Sequence, residues 1–175
     1  MRDEAGRSLA PPLEWRIHLG VHKTATTHLQ DTLAARRGVL LGQGVDYLPM
    51  REVRALRLPP GGGWADWRRR LRLPMRRRIE AAVAPIRMGP RRLVLSEENL
   101  IGYVRDALTF PPYPDLERRL RPFSVLTDGA QVTVFLSVRG WDTLLPSAYA
   151  QQLRVRPVPG GFGPLRAQAL ARPPS

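Results

Sequence analysis

The sequence predicts an α/β fold with a mainly parallel sheet, and three observations predict it. Strand-sized apolar runs, Trp15–Gly20, Arg92–Ser96 and Gln131–Val138, alternate with stretches of helical pattern. Consecutive parallel strands need long crossovers, and helical crossovers cover the sheet they build. The chain of 175 residues, 43% of them apolar, is long enough for one domain with its own core.

The elements follow in order. Residues 1–13, ending in Pro11-Pro12-Leu13, read as a flexible leader before a domain spanning 14–156. Trp15-Arg-Ile-His-Leu-Gly20 alternates apolar and polar residues, a strand ended by glycine. Thr24 to Arg37 then reads as a helix with Leu29 and Leu33 on one face. Val45-Asp-Tyr-Leu48 is a weak second strand, stopped by Pro49, and Pro59-Pro-Gly-Gly-Gly63 is a turn or loop. Trp64–Leu73 and Met75–Val83 read as two basic helices broken at Pro74. Their runs Arg68–Arg70 and Arg76–Arg78 form a solvated face, with anion binding as the alternative.

Arg92–Ser96 reads as a buried strand, with Glu97-Glu-Asn-Leu-Ile101 at its carboxyl end. A proline-rich loop, Thr109–Pro114, and a turn or two of helix at Leu116–Leu120 come next. Asp128-Gly129 turns the chain into its clearest strand, Gln131–Val138, and a helix runs from Trp141 to Arg154. Residues 157–175 are a Gly/Pro/Arg-rich tail. The working residues of such a sheet gather at the carboxyl ends of its strands.

Composition removes several classes of function. Cysteine is absent, which excludes disulfides, thiol nucleophiles and cysteine metal sites. The three histidines show no helical i, i+4 pairing, so no metal is expected. The longest apolar run, Val132–Val138, is far too short to span a membrane. The charged N-terminus lacks the apolar stretch of a signal peptide, so a cytoplasmic location is expected. A net charge of +13 attracts anions, nucleic acid among them. Because the arginines are spread along the chain, a highly phosphorylated small molecule suits them equally.

Chemistry concentrates in three places. Lys23 is the single lysine among 28 basic residues, and it lies in Gly20-Val-His-Lys-Thr-Ala-Thr-Thr27 between strand and helix. A compact ammonium reaches one phosphate oxygen where a guanidinium fork is bulkier. The helix N-terminus adds free N–H groups and a positive dipole, and Thr26 and Thr27 add hydroxyls. A complete Walker sequence is absent, since His22 precedes Lys23 and the earlier glycine is missing. The second place is Arg139, at the end of Gln131–Val138, with Ser147 eight residues on in the next helix. Together these can pinch a second phosphate.

The two sites form a pair. Lys23-Thr-Ala-Thr-Thr27 resembles the 5′-phosphosulfate loop of the sulfotransferases. Val138-Arg-Gly-Trp-Asp-Thr-Leu-Leu-Pro-Ser147 resembles their 3′-phosphate motif, with arginine and serine at the same spacing. The similarity runs in order from Trp15 to Arg154 and is nearest to the bacterial and carbohydrate-type branches. It implies a P-loop-NTPase-like three-layer fold and transfer of sulfonate from 3′-phosphoadenosine-5′-phosphosulfate (PAPS) to a hydroxyl or amine. By the same resemblance His22, Lys23, Thr24, Ala25, Thr26 and Thr27 hold the 5′-phosphosulfate, and Lys23 assists the leaving phosphate. Arg139 and Ser147 would clamp the 3′-phosphate. The acceptor would be a small molecule, lipid or carbohydrate, and no metal is needed.

The third place is Ser96-Glu-Glu-Asn99, where a base can take the acceptor's proton. Period-two alternation puts Ser96 and Glu98 on one face and Glu97 on the other, which favours Glu98 over Glu97. Glu98 or Glu97 could instead cap a helix or pair with an arginine. His18 reads as structural, His22 as a possible phosphosulfate contact, and His28 as facing solvent.

Two departures bear on the resemblance. Ala25 stands where this loop usually has glycine, a cost if its φ is positive. The late nucleotide-covering element of the family has no match after Val155, which implies a shortened or truncated C-terminal part. An inactive PAP- or PAPS-binding remnant (PAP being adenosine 3′,5′-bisphosphate) and a basic nucleic-acid binder are the rival readings.

Overall fold

Four parallel strands in the order β2-β3-β1-β4 form the centre of the molecule: β1 (Glu14–His18), β2 (Val45–Tyr47), β3 (Arg92–Ser96) and β4 (Gln131–Phe135). The computed structural model describes residues 12–58 and 68–171. The expected leader and the Pro59–Gly63 loop lie outside the described residues, apart from Pro12 and Leu13. Helices flank the sheet, so the architecture is α/β with an all-parallel sheet, and no described helix is long and apolar enough to cross a membrane.

β1 lies between β3 and β4, with Trp15 opposite Leu93 and Val132. Its alternation is that of a strand covered on one face: Trp15 and Ile17 are buried, while Arg16 opposite is exposed and bonds Glu14. Trp15, Leu93 and Leu95 pack with Val83, Val125 and Leu126, all almost fully buried, in the main core. Emptying a site of this size, as in Trp15→Ala, costs about 3–5 kcal/mol.

The helix after β1 differs from the pattern read off the sequence. It starts two residues late, as α1 (Thr26–Ala35), because Ala25 takes a left-handed conformation. It also stops early, at Arg36, and a separate α2 (Arg37–Gly42) leads into β2. Arg37 anchors that corner through Asp46 at 2.7 Å and Glu52 at 2.7 Å, with Glu52 carried by α3 (Met50–Ala55).

The break falls just before Pro74: residues 68–70 are helical, Leu71 and Arg72 are not, and Pro74 lies in the first turn of the next helix, α4 (Leu73–Met88), where a missing N–H costs nothing. Ile79 and Val83, one turn apart, face the core, while Arg77 and Arg78 are exposed, as a solvated face requires. Arg68 and Arg76 both reach Glu80, at 3.1 and 3.9 Å.

β4 is shorter than expected and stands at the sheet edge with all five residues exposed. Its apolar character therefore does not mark burial among the described residues. After it, α7 (Trp141–Leu153) follows the short helices α5 (Leu116–Leu120) and α6 (Ser124–Thr127) in chain order. The residues read as a tail form α8 (Phe162–Ala171), which packs Phe162, Leu165 and Ala169 into a second apolar cluster with Leu108, Leu145 and Ala148.

Candidate functional site

The segments after β1, β3 and β4 leave the same edge of the sheet and meet there. β1 and β4 stay joined past their strands through Leu19 N–H to the Phe135 carbonyl at 2.9 Å and Val21 N–H to the Ser137 carbonyl at 3.0 Å. β1 and β3 stay joined through Glu97 N–H to the His18 carbonyl at 3.1 Å. The loop from Gly20 to Ala25 is thus fixed on both sides.

Gly20 has φ 52°, and a Cβ there would come within 2.6 Å of Thr26 Cγ2. Both facts demand glycine. Lys23 and Ala25 have φ of 69° and 60°, left-handed angles that cost non-glycine residues about 1–2 kcal/mol each. Left-handed residues interleaved with ordinary ones curve a loop so that its N–H groups share one concavity, an anion cradle. Thr24 Oγ1 donates to the Val21 carbonyl at 2.7 Å and closes the turn.

No side chain caps α1, which leaves its first-turn N–H groups and the positive end of its dipole facing that concavity. Thr26 is buried beneath Gly20, Thr27 is exposed, and Lys23 is half-buried. Ala25 accordingly occupies a position where glycine would be relaxed.

Arg139 reaches back to this loop: its Nη1 donates to the Lys23 carbonyl at 2.9 Å and its Nε to Thr143 Oγ1 at 3.0 Å. Nη2 has no partner among the described residues, so one arm of the fork stays available. Ser147 lies half-buried about one and a half turns into α7 and makes no hydrogen bond to a described residue. Pro146 before it lacks an N–H, which leaves the Asp142 carbonyl without its helical donor. Lys23 and Arg139 are brought together, whereas Ser147 makes no hydrogen bond to either.

The two glutamates sit differently, although β3 ends at Ser96 and Glu98 opens a 3-10 turn (Glu98–Leu100), so strand alternation does not reach them. Glu97 is buried, accepts from Asn99 N–H at 3.2 Å and from the Asn99 side chain, and lies 3.6 Å from Arg54. Glu98 faces the loop, its Cβ 3.6 Å from the position a Gly20 Cβ would take. Gln30 Nε2 donates to Glu98 Oε2 at 2.9 Å and to the Ser96 carbonyl at 3.2 Å, fixing the carboxylate in place.

His18 is structural, bridging Ser96 Oγ at 2.9 Å and Ser137 Oγ at 2.8 Å. His22 is buried, its ring stacked on Tyr113 with both nitrogens engaged. Tyr113 Oη accepts from the His22 backbone N–H at 3.3 Å and lies 3.0 Å from Nδ1, while Nε2 lies 3.4 Å from Asn99 Oδ1. An amide oxygen only accepts, so Nε2 carries the proton and Tyr113 donates to Nδ1. Burial pushes the imidazole below the ordinary histidine value, and burial pushes the Tyr113 hydroxyl up. His22 therefore contributes a neutral, immobilised ring to the floor of the loop, and His28 is exposed.

Gln30, Asn99 and Tyr113 were not singled out by sequence reasoning. Gln30 carried a usable signal, since it lies four residues after Thr26 on the same helix face. Tyr113 carried none, as it meets His22 from 91 residues away. Beside His22 and Glu98 a cavity of about 490 Å³ opens towards the C-terminal end of α7. Compared with protein-family models, curated proteins and solved structures, the chain finds no match.

Proposed function

We propose that this chain is a PAPS-dependent sulfotransferase on a P-loop-like α/β fold, acting on a hydroxyl or amine acceptor. The observation that carries the reading is the bond from Arg139 to the Lys23 carbonyl, which joins the two phosphate-binding motifs. The residues fit the donor's two charged ends. Loop N–H groups, Lys23, Thr26 and Thr27 offer donors for a 5′-phosphosulfate, and the free Nη2 of Arg139 offers one for a 3′-phosphate.

When bound, PAPS supplies a sulfonate whose departure leaves PAP. Lys23 neutralises charge at the leaving phosphate, where a preorganised cation is worth most. Glu98, oriented by Gln30 and beside Gly20, accepts the proton of the attacking hydroxyl. The neutral ring of His22 supports the loop from below and leaves the proton transfer to Glu98.

In a second reading the site holds PAP or PAPS without transfer. Transfer of labelled sulfonate from PAPS to a mixture of hydroxylated acceptors tests the first reading. Product formed by the wild-type chain and absent with Lys23→Ala and Glu98→Gln supports it. Binding of PAPS without any product favours the second.

A further inference from the structure

The cavity beside Glu98 has a chemistry of its own. His22, Glu98 and Asn99 line it together with Gln152, at the end of α7, and Arg156 just beyond. Gln152 is 6% exposed, lines this cavity, and its side-chain amide makes no hydrogen bond to a described residue. The amide keeps its bonding capacity for whatever enters the cavity. Its NH2 donates and its oxygen accepts, which is the pairing a hydroxyl-rich ligand offers.

Two cations, Arg105 and Arg156, line the same cavity. Arg156 makes no ion pair or side-chain hydrogen bond with a described residue. Arg105 lies over the half-exposed ring of Tyr103, 5.3 Å from its centroid, with Asp106 as its acidic neighbour at 3.4 Å. Arg105, Gln152 and Arg156 also line a second cavity of about 500 Å³. Glu98 and the two guanidinium groups give the lining groups of opposite charge. A proton is taken at the carboxylate and a negative charge is held at the guanidinium groups.

We propose that this cavity binds the acceptor, and that the acceptor is a hydroxylated carboxylate such as an acidic sugar. Its hydroxyls meet Glu98 and Gln152, and its carboxylate meets Arg156 and Arg105. The assignment rests on the sulfotransferase reading for its catalytic meaning, while the binding itself does not require transfer.

The test is calorimetric titration of the full chain, with and without saturating PAP, using methyl β-glucuronoside and the neutral methyl β-glucoside. The glucuronoside is expected to bind about tenfold more tightly, as one charge-assisted contact provides. Arg156→Ala should erase most of that preference, Gln152→Ala should weaken binding of both sugars alike, and added salt should reduce the preference. Arg156 is exposed, so its variant folds, and an unchanged thermal unfolding midpoint confirms this. Equal binding of the two sugars, or a preference untouched by Arg156→Ala, overturns the proposal. An Arg156→Ala variant that loses PAP affinity places the nucleotide in this cavity and overturns it as well. Glucuronoside binding in a chain that ignores PAP leaves the anionic site standing and removes the sulfotransferase reading.

Discussion

Arg139 donates to the main-chain oxygen of Lys23, so a residue just beyond an exposed edge strand holds the carbonyl of the chain's single lysine. That carbonyl belongs to a left-handed residue, and fixing it fixes the direction of the neighbouring N–H groups. Arg139→Ala should lower stability by less than about 1 kcal/mol, because the bond is solvent-exposed. PAP affinity should fall by about tenfold or more, since the variant loses both a phosphate donor and the anchor of the loop. Denaturation curves and titration of one variant separate the two effects.

Backbone strain gives opposite predictions at two positions. Ala25→Gly relieves a left-handed cost of about 1–2 kcal/mol and adds about 0.5–1 kcal/mol of unfolded-state entropy, so stability should rise by about 0.5–1 kcal/mol. Gly20→Ala meets a left-handed angle and an overlap with Thr26 together, and should cost about 2 kcal/mol or more. Urea unfolding midpoints at constant slope measure both.

His22 makes stability depend on pH. Its folded pKa lies below the ordinary value of 6.5, so the native state binds fewer protons there than the unfolded chain does. Its contribution is intact above that value and is lost as pH falls below it towards the depressed folded value. His22→Gln should flatten this part of the profile. Unfolding free energies of both chains between about pH 5 and pH 8 give the comparison.

Glu98→Gln preserves shape and keeps an oxygen for Gln30, so PAP binding should be unchanged. Transfer should fall by about 10²–10⁴-fold, the usual worth of a positioned base. The same substitution at Glu97 should act chiefly on stability, since that carboxylate caps the turn at Glu98–Leu100 and pairs with Asn99.

β4 exposes Val132, Val134 and Phe135 at a sheet edge without a charge in the strand. Edges of this kind pair with other chains. Val134→Lys should leave the unfolding free energy within about 0.5 kcal/mol and reduce scattering on heating.

Much of this was legible in the sequence, and the remainder has physical reasons for being hidden. Trp15–Gly20 and Arg92–Ser96 showed as strands because alternation is local, whereas Glu97 and Glu98 lie past the strand end, where alternation does not reach. Pro74 marked a real interruption but not its place, since the break lies at Leu71-Arg72 and a proline is harmless in a helix's first turn. The run Gln131–Val138 is apolar enough for a core, yet apolarity does not say where a strand sits in the sheet. The contacts of His22 with Tyr113 and of Arg139 with Lys23 span 91 and 116 residues and leave no periodic trace.

Calorimetric titration with PAP, with ATP and the Lys23→Ala and Arg139→Ala variants as controls, tests the central claim most directly. The account predicts micromolar PAP binding, much weaker ATP binding, and loss of affinity in both variants. A folded chain that does not bind PAP, or binds it unaltered without Lys23, contradicts the two-phosphate site.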